Sequence, residues 1–243
     1  MRTATGAWVW IGARAAMSLL IAAAVVRQLA ASIGTALELG RDVVTTIANF
    51  LSFFTILSNA AAAIVLAWAA IWFWTKRRDR DAEPPGLATA LASVSTYMIV
   101  TGIVYNLLLR SVVLPQGSEP VWWSNEVLHL IGPLFLLADV FVGPLRRRLP
   151  WRALWAIVAF PIVWVGYTMV RGPLTTNPVS GEPFWYPYPF LNPNNDGGWG
   201  SVIVYVIGIA IAIVAVGALV VWWGRRAADR GVVASVPQTA DTL

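Results

Sequence analysis

Apolar runs recur six times along the chain, near residues 10–33, 48–74, 87–110, 122–145, 152–171 and 200–223, separated by charged or Pro/Gly-rich breaks. A spanning helix needs about 20 residues, so each run is long enough to cross a hydrocarbon core. Each is read as a helix, because an open strand in lipid leaves backbone groups unpaired. The expected fold is an all-α integral membrane bundle of six transmembrane helices over residues 1–226, followed by a polar, disordered tail over 227–243. A signal-peptide reading of Met1 to Ala31 competes for the first segment. It leaves five spans and sets Arg14 late for a basic leader region. No internal repeat or Gly-rich phosphate loop is found.

The breaks differ in kind. Residues 75–86 are charged and end in Pro84-Pro85-Gly86, a helix stop. Residues 146–151 form a tight basic turn. The connection over 172–199, between the fifth and sixth helices, carries Phe184-Trp185-Tyr186-Pro187-Tyr188-Pro189-Phe190-Leu191. A loop this long either acts at a site or lies as a greasy segment on the headgroups, and both readings stand.

Composition strengthens the membrane reading. The 243 residues are 58% hydrophobic and only 12% charged, against about 25% charge in soluble domains. The net charge of +5 sits in short runs beside the apolar segments. That placement suits orientation and anionic headgroups rather than nucleic acid, for which no partnership is expected. Arg2, Arg14, Lys76 to Arg80, Arg146 to Arg152 and Arg225 to Arg230 fall on one side, while Arg27, Arg41, Arg110 and Arg171 fall on the other. The positive-inside rule then puts both termini in the cytoplasm and the bundle in the plasma (cytoplasmic) membrane. Trp72, Trp74, Trp151, Trp222 and Trp223 form an inner aromatic belt; Trp122, Trp123, Trp185 and Trp199 form an outer one. With no Cys and one His, disulfides, thiol catalysis and a conventional zinc site are excluded, and a bis-histidine haem lacks its second ligand. No cofactor is expected.

Candidate chemistry gathers around His129. An ionisable imidazole in an apolar helix is costly in lipid and usually faces a polar interior. At about 1.5 Å per residue, His129, Thr55, Asn106 and Arg27 fall in one outer-leaflet layer. Glu126 lies one turn above, and Tyr167 and Tyr205 are further members. Ser52, Thr55 and Asn59 share one face at i, i+3 and i+4 spacing near the start of the second helix. A Thr hydroxyl needs a base to become nucleophilic, and the neutral base at hand is His129. The structural alternatives are hydrogen bonds that merely tie helices together and an Arg27 that snorkels outward. The functional ones make Arg27 a carboxylate clamp and Asn106 an oxyanion support. Asp139 lies too deep to orient the imidazole; Glu126 or Asn125 is placed to do so.

The motif Phe53-Phe54-Thr55-Ile56, the lone His129 opening the fourth helix, and Tyr188-Pro189-Phe190-Leu191 before the last helix form a recognisable order. Over residues 14–224 the chain resembles the androgen-induced protein family of six-span membrane proteins, which includes the androgen-dependent regulator of tissue-factor-pathway inhibitor. It resembles the bacterial relatives more closely. The resemblance implies a threonine hydrolase acting on fatty acid esters of hydroxy fatty acids, with Thr55 as nucleophile and His129 as base. Phe50-Leu51-Ser52-Phe53 fits the same motif, so Ser52 remains a second nucleophile candidate. The substrate implied is a membrane lipid or fatty-acyl ester. The competing reading is a non-catalytic lipid-binding or structural membrane protein.

Overall fold

A computed structural model describes residues 4–76, 82–112 and 119–235; of 227–235 only the backbone is considered. Within it, six helices are long and apolar enough to cross a membrane. They are α1 (Ala4–Glu38), α3 (Phe54–Lys76), α4 (Pro85–Val104, extended by a π turn over Tyr105–Leu109), the composite of α5 (Trp122–Glu126), a π turn over Val127–Ile131 and α6 (Gly132–Val142), α7 (Ala153–Arg171) and α8 (Gly198–Ser235). A short α2 (Val43–Phe50) joins α1 to α3. The described residues are helical with no strand, as a multi-pass membrane bundle requires.

Three boundaries differ from the sequence reading. The second span is not continuous from residue 48. A turn at residues 51–53 separates α2 from α3, so Ser52 sits in the break and Thr55 in the first turn of the new helix. Pro84 and Pro85 start α4 rather than merely ending a loop, with Pro85 at its first position, where the missing N–H costs nothing. The last helix runs on through Ser235, into the stretch expected to be a disordered tail. Arg2, Arg77, Arg78 and Arg80 of the basic runs lie outside the described residues, as do 236–243 of the tail.

The third span, α4, is the most buried and the sixth the least. It packs against α3, α6, α7 and α8, while α1 lies along α2, α3 and α5. Ile11, Arg14, Ser18, Ile21, Ala24, Gln28 and Ser32 of α1 are all buried, a stripe at spacings of three and four that marks its inward face. Where α4 meets α6 the backbones nearly touch: a Cβ on Gly102 would stand 2.8 Å from the Pro133 side chain.

The 184–191 stretch of the 172–199 connection packs into the bundle, while residues 179–183 and 194–197 are exposed. Trp185, expected in the outer belt, is 1% exposed, and Tyr186, Tyr188 and Leu191 are buried with it in the main core. Phe53 meets Trp185 and Tyr188 edge-on, at centroid distances of 5.8 and 5.5 Å. Trp185 N–H donates to the Gly172 carbonyl at 2.9 Å. The loop enters because its aromatics fill space that the break between α2 and α3 leaves open. Gly172 is the tight point, since a Cβ there would lie 2.2 Å from the Tyr186 ring. Gly172→Ala is expected to cost about 1–3 kcal/mol by overpacking. It should show as a lower melting temperature in detergent and faster proteolysis between 175 and 184. An unchanged melt would mean that the ring yields freely.

At the opposite end, charge is buried rather than displayed. Arg14, counted above with the inner basic residues, is 1% exposed. Its Nε and Nη2 donate to the two Asp139 carboxylate oxygens at 2.7 and 3.0 Å, and its Nη1 to Glu83 at 3.1 Å. Trp10 and Arg146 complete the set on Asp139. Burial pushes the Glu83 carboxyl above its ordinary range, with Arg14 and Arg146 opposing that shift. Asp139 thus anchors α1 to α6, well away from His129.

Candidate functional site

Thr55 enters the site because the chain breaks before it. In the first turn of α3 its N–H has no helical acceptor, and it donates instead to the Tyr188 hydroxyl at 3.2 Å. The Thr55 and Tyr188 hydroxyl oxygens also lie 3.2 Å apart. Burial pushes the Tyr188 phenol above its ordinary value, so it is neutral at physiological pH. The inserted loop therefore positions Thr55 through two contacts to one atom. Tyr188→Phe keeps the ring contacts and leaves the Thr55 N–H unpaired. It is expected to cost about 1–2 kcal/mol, read as a fall in melting temperature, and a melt equal to wild type would show those contacts to be dispensable.

His129 lies in the π turn of the fourth span. This turn faces the second one, and the His129 ring stacks on Tyr105 at a centroid distance of 3.6 Å. Such one-turn bulges are frequent at functional sites. The imidazole Nδ1 is 3.0 Å from the Asn125 carbonyl. A carbonyl can only accept, so Nδ1 carries the hydrogen and Nε2 keeps the free lone pair. Asn125 thus orients the ring, by its backbone; its side chain donates to the Tyr105 hydroxyl at 2.8 Å.

Thr55 and His129 line one small cavity of about 50 Å³, together with Gln28, Ser32, Tyr105, Asn125 and Tyr188. They share it without a direct hydrogen bond: the hydroxyl partner of Thr55 is Tyr188. A second, larger cavity of about 390 Å³ adjoins it, with Thr55, Tyr105 and Tyr188 in both walls. Its remaining lining is almost wholly apolar and comes from Phe54 of α3 and from α4 with its π turn, α7, α8 and the inserted loop. Trp155, Ile162 and Val214 on its rim are exposed, so the chamber opens sideways where lipid would lie. Its volume is within the roughly 300–1,000 Å³ of small-molecule sites.

The other expected members divide. Asn59 is fully buried, and its amide donates to the Thr55 carbonyl at 2.9 Å and the Leu128 carbonyl at 3.1 Å. It ties the two spans that carry Thr55 and His129. Asn106 has no donor left for an oxyanion, because its NH2 donates to the Gly102 and His129 carbonyls at 2.8 and 3.0 Å. Its oxygen accepts from Arg110 at 2.8 Å. Glu126 is held bidentately by Arg110 at 2.9 and 3.1 Å and does not line the cavity. Ser52 lines neither cavity. Its hydroxyl donates to the Ala48 carbonyl at 2.7 Å and lies 2.9 Å from the Tyr167 hydroxyl, which places both residues in a brace beside the site. Tyr205 is exposed, against Phe190. Arg27 is exposed as well. It stands one step round α1 from the buried stripe, about 100° away, so it is no clamp for this cavity.

Gln28, Ser32, Tyr105 and Tyr188 are the members that sequence reasoning missed. For Gln28 the signal was present, because it continues the three-and-four spacing of Ser18 and Ile21 that Arg27 breaks. Tyr188 stands in the motif before the last helix, but nothing local pairs it with Thr55, since a loop residue reaches a helix start far away in sequence. Comparisons with protein families, curated proteins and solved structures find no match to this chain.

Proposed function

We propose that the chain is an intramembrane lipid-ester hydrolase of the plasma membrane, with both termini cytoplasmic and its site in the outer leaflet. The supporting observation is that Thr55 and His129, from different spans, line one small cavity that abuts a laterally open apolar chamber. An acyl chain in the chamber sets its ester at the shared wall beside Thr55. The resemblance to the androgen-induced protein family points to the same pair and to fatty acid esters of hydroxy fatty acids.

In the proposed reaction Thr55 Oγ1 bonds to the ester carbonyl carbon, and the carbonyl electron pair moves onto its oxygen. The Thr55 proton passes to His129 Nε2 through one water, for which the cavity has room. Collapse breaks the bond to the leaving oxygen, which takes that proton and departs as the alcohol. A water molecule then attacks the acyl-threonine, His129 takes its proton and returns it to Thr55, and the carboxylic acid leaves. Net, one ester and one water give one acid and one alcohol. Incubating the detergent-purified protein with a fluorophosphonate probe and a long-chain acyl ester tests this. Labelling at Thr55 with ester turnover is expected, and neither occurring would remove the proposal.

The Thr55–Tyr188 contact favours a second reading, a non-catalytic lipid-binding or structural protein in which Thr55 only seats the loop. That reading requires Thr55→Ala to lower stability while changing no turnover.

A further inference from the structure

We propose that Gln28 supplies the hydrogen-bond donor that holds the carbonyl oxygen of the ester as it becomes negative, an assignment that rests on the hydrolase reading above. Gln28 is buried on the inward stripe of α1 and lines the small cavity with Thr55 and His129. Its orientation is settled by its neighbours. The Val121 N–H donates to Oε1 at 3.0 Å, and the fully buried Ser124 hydroxyl donates to the same oxygen at 3.2 Å. Two donors on one atom identify it as the carbonyl end. The other end must then be NH2, and among the described residues neither of its hydrogens has a protein partner.

The rest of the neighbourhood narrows the choice. The Asn106 and Asn59 amides spend both hydrogens on backbone carbonyls, and the Asn125 amide is fixed by donating one of its two to Tyr105. The exposed Arg27 offers no charge here. Among the described residues Gln28 is therefore the side-chain amide lining this cavity whose oxygen is pinned and whose two N–H hydrogens are both unengaged. A donor pinned before substrate arrives needs no reorganisation when charge develops, which is what makes such groups effective in a dry site. The same anchoring ties α1 to the start of the fourth span, so Gln28 presents its amide from a packed helix.

Gln28→Glu separates the two roles, because it keeps an oxygen for Val121 and Ser124 and removes the NH2, with Gln28→Met as the control for a protonated carboxyl that could still donate. The expected result is a fall in kcat of about 100-fold or more, with KM within about threefold and phosphonate labelling slowed in parallel. The melting temperature in detergent should stay near wild type. Gln28→Met, of similar length and with no donor, should lose as much. Turnover of Gln28→Met within a few-fold of wild type overturns the assignment. So does a loss in both variants that merely follows the loss of folded protein. Thr55→Ala, assayed alongside, separates the failures: if it is inactive while Gln28→Met is active, only the role of Gln28 falls. If Thr55→Ala and Ser52→Ala both remain active, the hydrolase reading itself fails.

Discussion

Thr55→Ala and His129→Ala are each expected to lower ester turnover by about 10³-fold or more, because removing either member of a nucleophile–base pair removes most of what the two do together. The double variant should be little worse than either single one, since the residues act as a unit. Thr55→Ser keeps a hydroxyl at the start of α3 and should retain measurable turnover, whereas Ser52→Ala, outside both cavities, should stay within about threefold of wild type. The measurement is initial-rate hydrolysis of a long-chain acyl ester in detergent or vesicles, with folding checked by melting. If Ser52→Ala is inactive and Thr55→Ala active, the nucleophile has been misassigned. Additive losses in the double variant would separate the two residues.

The second large effect is on stability. Arg14→Met is expected to cost about 3–5 kcal/mol, because it strands the Asp139 and Glu83 carboxylates where water does not reach. Asp139→Leu should cost a similar amount through the guanidinium it leaves behind. Combining the two removes opposite charges and should cost clearly less than the sum. Each loss is read from melting in detergent, alongside yield after membrane extraction. Strict additivity would show that Arg14 and Asp139 do not depend on one another. Gly143 belongs to the same feature: a Cβ there would stand 2.7 Å from the Arg14 guanidinium, so Gly143→Ala should weaken the cluster without touching a charge.

The difference between these two sites shows how far residue order carries. The 3.6-residue period of α1 holds both Arg14 and Gln28 on one stripe, yet the sequence reading counts Arg14 with the basic residues of the inner side and passes over Gln28. It does not say that Arg14 meets a carboxylate on α6 and another just before α4, because those partners lie 125 and 69 positions away. The depth argument put Thr55 and His129 in one layer, and they do share a cavity. It also put Asn106 and Arg27 there. Depth measures only distance along each helix; rotation about the helix axis decides whether a side chain looks inward, and Arg27 looks out. Thr55 itself depended on a break that apolar periodicity does not register.

By itself the order of residues determined the six apolar helices and their sequence. Those follow from local quantities: the length of hydrocarbon to be crossed, the need to pair every backbone group, and the helical repeat. Tertiary structure alone decided that the 184–191 stretch packs into the bundle, that Tyr188 rather than His129 meets the Thr55 hydroxyl, and that Gln28 joins Thr55 and His129 in one cavity. Each of these is a contact between distant segments, set by which spaces the neighbouring helices leave open and which hydrogen-bonding groups they leave unmatched.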